Sequence, residues 1–483
     1  MAAPQTGGVA TVTSGQEIWN SNALAGKSRL DVQSVEILFD LRVRYAAWHN
    51  ADQNNSIGGQ YNDDFLQRTR LGAWFKINEH VNALISMQDW RRWGENTTDA
   101  AAVTADNLNT FGTDVRQAWV EFVDLFHTQH FRFDTKIGRQ TFATGAHRLI
   151  SNEDWSQTGN LFDGITGLMD AIDGSWNARL FYFRLERKDG SVATVDQKLR
   201  QFFGVHITLD QKAADKTGGR IDLFQPYLYI LKRDGQDGVE PRGIFLITYG
   251  FLTGGDPSPN FNWQFEGALQ GGKFYTSYVQ AFMASFVGSW TLHGRNGYSP
   301  IVSLLLDWAS GDNNPNDKAV HTFNPLFGEQ HDTLGEMDAV GRANERSIAL
   351  RALFPLPGMD NVNAGQTFKR SVFVATLSQF WVDNTHDNWY GSGVGADSLV
   401  TATPFSYGGV RVPLHNPNAP SELGTELDLR MNSRMFNAVD VSFVFGHFWA
   451  EGFGDKTGVP ATPRTNGDFD TAYLQFELFG GAE

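Results

Sequence analysis

One stretch constrains the fold more than any other: residues 64 to 93, DFLQRTRLGAWFKINEHVNALISMQDWRRW. Its first half puts Phe65, Thr69, Leu71, Ala73, Phe75 and Ile77 on one side and Leu66, Arg68, Arg70, Gly72, Trp74 and Lys76 on the other. That period of two is the pleat of a β-strand. After Asn78, Glu79 and His80 the alternation resumes, with Val81, Ala83, Ile85 and Met87 opposed to Asn82, Ser86, Gln88 and Trp90. The link is short, so the two runs are antiparallel neighbours. A sandwich in water would hide the apolar side, and a barrel in a bilayer would turn it toward lipid. The number of such runs and the lengths of their connections discriminate between the two.

Residues 1 to 31 are rich in Gly, Ala, Ser and Thr and show no period, which predicts a mobile N-terminal arm. A first strand follows, with Val35, Ile37, Phe39, Leu41 and Val43 against Glu36, Asp40, Arg42 and Arg44. Beyond the hairpin come Ala118, Val120 and Phe122 against Gln117, Trp119 and Glu121, then Phe131, Phe133, Thr135 and Ile137 against Arg132, Asp134 and Lys136. Comparable segments recur near 164 to 171, 175 to 186, 199 to 209, 220 to 232, 242 to 252, 261 to 271, 275 to 292, 300 to 309, 345 to 355, 367 to 382, 421 to 432, 438 to 450 and 468 to 479, making 18 in all. The long connections, 49 to 63, 94 to 113, 138 to 163, 310 to 344, 383 to 420 and 451 to 467, all follow odd-numbered strands. Only an up-and-down meander collects the long loops at one end, as outer-membrane barrels do. Segments of about ten residues also suit the 9 to 11 that a tilted strand needs to cross a bilayer. The expectation is therefore all-β: one 18-stranded antiparallel transmembrane β-barrel over residues 32 to 483, with no second domain.

Composition narrows the function. A formal charge of -15 argues against nucleic acid, whose phosphates need a basic surface. There is no cysteine, which removes thiolate metal sites and Cys nucleophiles. The longest apolar runs, such as Ile244 to Ile247, fall far short of the roughly 20 residues of a membrane helix. Met1 stands directly before Ala-Ala-Pro-Gln, and we expect it to stand in place of a removed signal peptide. No Gly-x-Ser-x-Gly elbow, His-Glu-x-x-His or phosphate loop is present, and Glu153 and Asp154 form only a loose acidic pair. The expectation is a channel, not an enzyme.

Two loop sequences carry a family resemblance. Residues 137 to 164, IGRQTFATGAHRLISNEDWSQTGNLFDG, contain Gly138, Arg139 and Gln140, then Arg148 and Leu149, Asp154 and Trp155, and Phe162 and Asp163. Residues 307 to 344 contain Ser310, Gly311 and Asp312, then Thr322, Phe323 and Asn324, Gly335 and Asp338, and Asn344. With the Gly-Thr-Glu-Leu-Asp-Leu run at 424 to 429, these resemble the alginate export family of outer-membrane barrels. The resemblance implies an 18-stranded barrel whose arginine-lined lumen passes an anionic saccharide such as an alginate-like polymer or its oligomers. The link between Met431 and Ala438 is short here, where a long periplasmic turn closes the pore in the polymer exporter type. That favours a simpler diffusion channel for saccharides or small anions.

Placing Arg or Lys on the lipid side at mid-membrane costs about 2 to 4 kcal/mol. The face carrying Arg42, Arg44, Arg68, Arg70, Arg132, Lys136, Arg179, Arg351 and Arg430 is therefore expected to point inward, sharing the lumen with Glu36, Asp40, Asp134, Glu121, Glu426 and Asp428. For any single residue the bland reading, a ladder of paired charges bracing the wall, weighs as much as a role in an anion-selective constriction. For Arg42, Arg44, Arg68 and Arg70 together the constriction is the preferred reading. Arg139 and Arg148, at the base of the third long loop, either line that constriction or anchor the loop to Asp154 and Asp163. Asp312, Asn314, Asn316 and Asp317 have the spacing of a calcium loop, but the sixth-position glycine and closing Glu are missing, so an ordinary turn is favoured. His127 and His130 lack a third ligand and read as a turn. The expected setting is the Gram-negative outer membrane, with lipid outside the wall and no cofactor apart from that weak calcium candidate. From a different class, the alternative is a structural sleeve that docks periplasmic or other envelope proteins.

Overall fold

The computed structural model describes residues 11–12, 32–49, 61–93, 111–185, 200–209, 221–233, 243–274, 276–293, 299–314, 317–356, 368–392, 406–407, 410–411, 418, 420–436, 438–452 and 468–480. Eighteen long strands form its wall. In chain order they are β1 (Ser34–His49), β2 (Tyr61–Lys76), β3 (Val81–Trp93), β4 (Phe111–His127), β5 (Phe131–Gln140) and β6 (Phe162–Ala171). Then come β7 (Trp176–Arg184), β8 (Arg200–Leu209), β9 (Leu223–Arg233), β10 (Ile244–Ser258), β11 (Phe261–Phe274) and β12 (Ser277–Thr291). The last six are β13 (Ile301–Ala309), β14 (Glu345–Pro355), β15 (Phe368–Val382), β16 (Glu422–Met435), β17 (Val439–Ala450) and β18 (Phe469–Gly480).

Each strand pairs antiparallel with the next, and β1 closes the sheet on β18, from Phe39 opposite Gly480 to His49 opposite Asp470. Closure satisfies every edge, which is what allows a sheet to stand in hydrocarbon. The alternation reads as expected on the outside. Leu71 is 56% exposed, Leu350 55%, and Ile85, Leu180, Tyr249, Leu269, Leu377 and Phe443 are likewise exposed, while Arg68, one pleat from Thr69, has no exposure at all. An apolar wall that exposed is tolerable only against lipid.

Strand lengths follow the bulges. The fourth strand, expected over about 117 to 122, runs from Phe111 to His127, because register shifts next to Met87 and between Phe122 and Phe126 absorb the residues that break its period. Several turn-side links are short, such as 77–80, 128–130, 172–175 and 436–438, while 210–222 and 356–367 are longer. One loop-side link, 275–276, is equally short. Of the arm expected over 1 to 31, only Thr11–Val12 is described, paired with Val35 and Glu36 at the overhang of β1 beyond Gly480.

One expectation about the inside is overturned. Among the described residues, the loop-side half of the lumen around β6 to β12 is lined mainly by rings and aliphatic side chains, with Arg200 and Arg233 only at its rim. Phe162, Phe181, Phe183, Phe202, Tyr227, Tyr229 and Leu246 point inward and are buried. They are covered by Phe142 and Leu149 of loop 141–161 and by Phe323, Leu326 and Phe327 of loop 310–344. Ring centres lie 4.9 Å apart for Phe142–Phe181 and for Phe202–Phe327. Burying a phenylalanine contributes roughly 1.5 to 3 kcal/mol, so this side of the barrel holds both loops inside by ordinary core packing.

Candidate functional site: the charged side of a plugged lumen

The two loops are joined before they meet the wall. Ile150 bridges Phe327, Ser151 N–H donates to the Phe327 carbonyl (2.9 Å), Phe327 N–H to the Leu149 carbonyl (3.0 Å), and Glu329 N–H to the His147 carbonyl (2.8 Å). Gly328 makes this approach feasible: a Cβ there would stand 1.9 Å from the Arg148 carbonyl oxygen. A single helical turn, α1 (His331–Leu334), then brings loop 310–344 across to β16.

On the β1 to β4 side the tip of loop 141–161 is held by guanidinium groups. Arg42 donates to the Asp154 carbonyl (2.7 Å), the Ser156 carbonyl (2.8 Å) and the Gln157 side chain (2.8 Å). Arg68 donates to the Asp154 carbonyl (2.8 Å) and to the carboxylates of Asp40 and Glu477 (2.9 Å each). Arg70 reaches the Asp154 carboxylate at 2.7 Å and Gln88 at 2.6 Å, and Arg116 approaches the same carboxylate at 3.5 Å. Arg44 donates to Gln475 (2.9 Å) and lays its guanidinium 3.5 Å from the Trp155 ring centre. Burial alone would raise the Asp154 carboxyl; Arg68, Arg70, Arg42 and Arg116 outweigh it and hold it well below the usual carboxylate range. Five guanidinium groups face three carboxylates, Asp40, Asp154 and Glu477, so this wall keeps a surplus of two positive charges.

The adjoining stretch of wall, β16 to β18, is acidic where it meets loop 310–344. Glu426 and Asp428 of β16 point inward and accept from the backbone N–H groups of Met337 (3.2 Å) and Glu336 (3.4 Å). Gly335, at φ 133°, lets that backbone approach, since a Cβ there would lie 2.2 Å from the Glu426 carboxylate. Glu336 also takes Tyr473 (2.9 Å) and Arg430. His331 stands between Glu336 (3.0 Å) and Asp338 (3.2 Å). Burial would push its imidazole down, but Asp338 and Glu336 raise it to about 10, so it is an imidazolium at neutral pH. Burial would likewise raise the Glu336 carboxyl; Arg430 and His331 hold it below its usual range.

The expected site residues fall into three groups. Arg42, Arg44, Arg68 and Arg70 do converge, but buried, with donors committed to loop carbonyls and carboxylates. Arg132, Lys136, Arg179, Arg351 and Arg430 face the lumen with more exposure: Arg132 pairs with Asp170 (2.9 Å), Lys136 with Glu121 (3.7 Å) over the Trp119 ring, Arg179 donates to the Ala143 carbonyl (3.1 Å), and Arg351 to Thr376 (3.2 Å). Arg139 takes Asp163, as the anchoring alternative expected, while its place in the pore and the partner of Arg148 are corrected. Arg139 shares its pleat with the exposed Ile137, and its partner Asp163 (2.8 Å) shares one with the exposed Ile165, so this pair lies on the outer wall and not in the pore. Arg148 is buried against Glu266 (3.0 Å) and Gln264 (3.1 Å), because Asp154, its expected partner, is taken by β2 and β4.

Of the calcium candidates, the Asp312 carboxylate accepts the Asn314 N–H (3.0 Å) and that of Asp317 the Ala319 N–H (2.6 Å), each closing a local turn; Asn316 lies outside the described residues. His127 turns back onto Asp124 (2.9 Å). Residues the sequence did not single out include Arg116, displaced into a bulge, and His331, whose significance depends on partners five and seven residues on. The loop motifs find their reason in anchoring. Thr322 donates to Asp387 (2.5 Å), the Asn344 amide reaches the carbonyls of Asn384 and Asn388 (3.0 and 2.9 Å), and Asp338 accepts from Trp155 (3.0 Å).

The alginate export family model matches residues 35–467. The chain belongs to the alginate export family. No curated protein matches it by sequence. Among solved structures, Pseudomonas aeruginosa OccK5 (OpdH) superposes with a TM-score of 0.54 at 10% identity, covering 93% of this chain and 98% of its own. OpdK of the same organism, solved with vanillate, gives 0.54 at 11%, with 92% and 98% covered. OccK2 (OpdF), solved in complex with glucuronate, gives 0.52 at 13%, again with 92% and 98%. At such identities these relatives speak for the fold: a closed 18-stranded outer-membrane porin barrel. This alginate export family member is an outer-membrane channel and not an enzyme.

Proposed function

We propose that the channel passes small anionic saccharides, uronates above all, by diffusion through the lumen under the field of the arginine-bearing β1 to β4 wall. The observation that carries this reading is the surplus of two guanidinium charges around Asp154, in a confined lumen where a fixed charge acts at long effective range. Arg179 and Arg351, bonded to the Ala143 carbonyl and to Thr376, add positive charge elsewhere in the lumen, whereas Arg132 and Lys136 are balanced by Asp170 and Glu121. The alginate export match agrees with it, as do the carboxylate-bearing ligands with which two porins of similar fold were solved, glucuronate for OccK2 (OpdF) and vanillate for OpdK. The link 436–438 is only three residues, too short to reach into the lumen as a gate, which favours diffusion of short solutes over polymer export. Proteoliposome swelling tests the proposal. Sodium glucuronate should enter several times faster than glucose, a neutral sugar of similar size; equal rates, or faster glucose entry, would refute it.

A further inference from the structure

Trp155 lies at the tip of loop 141–161, and four chemically different side chains meet its indole. The Arg44 guanidinium is 3.5 Å from the centre of its ring system. The His331 ring centre is 3.7 Å away at an interplanar angle of 9°. Two groups so close to one ring centre cannot share a face, so the indole is sandwiched between a wall cation and a cation of the other loop. Its edge is fixed as well: Nε1–H donates to Asp338 (3.0 Å), and Tyr473 of β18 packs at 4.8 Å. Its carbonyl accepts from Arg42 and Arg44, both at 3.1 Å.

A cation over an indole face is attractive, and more so away from water. Here both faces carry one. His331 is held in place by Glu336 and Asp338, and Glu336 is held by Arg430 and Tyr473. One continuous stack therefore runs from β1 through loop 141–161 and loop 310–344 to β16 and β18. The loops are already joined on the apolar side through Ile150 and Phe327. The Trp155 stack is a second joint, on the charged side where we place the solute path.

We propose that Trp155 is a positioning residue that locks the two inward loops into a single plug, fixing the width of the charged passage and making the loops move together. The inference rests on the channel reading only for its effect on passage; the coupling of the loops is independent of what is transported. Loss of the ring should loosen both loops at once on this side, although the substitution is in only one and the Ile150–Phe327 joint and the guanidinium bonds to loop carbonyls remain. A wider, less steady passage should follow.

Hydrogen exchange on the purified barrel, with single-channel recording beside it, tests this. In Trp155→Ala, exchange should accelerate about tenfold or more in both 146–157 and 329–338, with the strands unchanged, and recordings should show larger, fluctuating conductance. Trp155→Phe keeps a stacking face and loses only the bond to Asp338, so it should restore most of the protection in both segments. The reciprocal His331→Ala, made in the other loop, should raise exchange at 154–157. Acceleration confined to 146–157 in Trp155→Ala, or no response of 154–157 to His331→Ala, would overturn the coupling. A phenylalanine variant as loose as the alanine one would overturn the stacking. Coupled exchange with unchanged conductance would leave the joint standing and refute its role in passage.

Discussion

Replacing Asp154 by Asn changes one charge and little else. The loop tip should remain docked, because the bonds from Arg42 and Arg68 to the Asp154 carbonyl and from Arg42 to the Ser156 carbonyl do not involve the carboxylate. The positive surplus on the wall rises from two to three. The Asp154 side chain is 44% exposed, so its field reaches the passage through a largely wet medium. At about 7 Å and an effective dielectric constant of about 40, one unit charge is worth about 1.2 kcal/mol, roughly sevenfold in favour of an anion and sevenfold against a cation, hence about fiftyfold in the ratio of anion to cation permeability. The reversal potential across a planar bilayer under a potassium chloride gradient measures that ratio. It should shift in the anion direction at about 0.1 M salt and shrink toward nothing at about 1 M, where the screening length falls to about 3 Å. An unchanged potential, or a shift toward cations, would refute the claim that these guanidinium groups set the field of the passage.

Two further outcomes follow from the same walls. Arg68→Met should cost about 3 to 5 kcal/mol in urea unfolding, since it strands the nearly buried carboxylates of Asp40 and Glu477; adding Asp40→Asn and Glu477→Gln should recover much of that, and a loss below about 1 kcal/mol would contradict the network. His331, faced by Trp155, Glu336, Asp338 and Tyr473, with Arg430 beyond Glu336, is raised from 6.5 to about 10, so its stabilisation is whole below about pH 6.5 and lost as pH climbs through 10. The melting temperature should therefore fall more steeply between pH 7 and 10 in the parent chain than in His331→Gln, and side-chain NMR should find one of the 12 histidines titrating near pH 10; parallel curves would remove the imidazolium from the account.

The wall was legible in the sequence because its physics is local. Alternation every second residue and the cost of placing arginine in lipid suffice to face Leu71 outward and Arg68 inward. The same rule, carried two residues past Ile137, would have put Arg139 outside as well. What escaped was the plug. Strands β7 to β9 are apolar on both faces, as with Leu180 and Tyr182 outside against Phe181 and Phe183 inside. A period of two cannot reveal that one of those faces receives a loop instead of water. The partners of the arginine cluster were hidden for a related reason: Asp154 lies 84 and 86 residues from Arg70 and Arg68, and the bonds that fix its loop go mostly to backbone carbonyls, which carry no side-chain signature. The family motifs around 138 to 163 and 310 to 344 marked the right loops, and the structure supplies what they do there: they hold the loops to each other and to the walls.

The sign of the ion selectivity of the unmodified channel is the most direct test. The chain carries a formal charge of -15, so a pore governed by overall charge would prefer cations. If the guanidinium surplus beside Asp154 governs instead, the reversal potential at low salt lies on the anion side; a cation-side value would contradict the account.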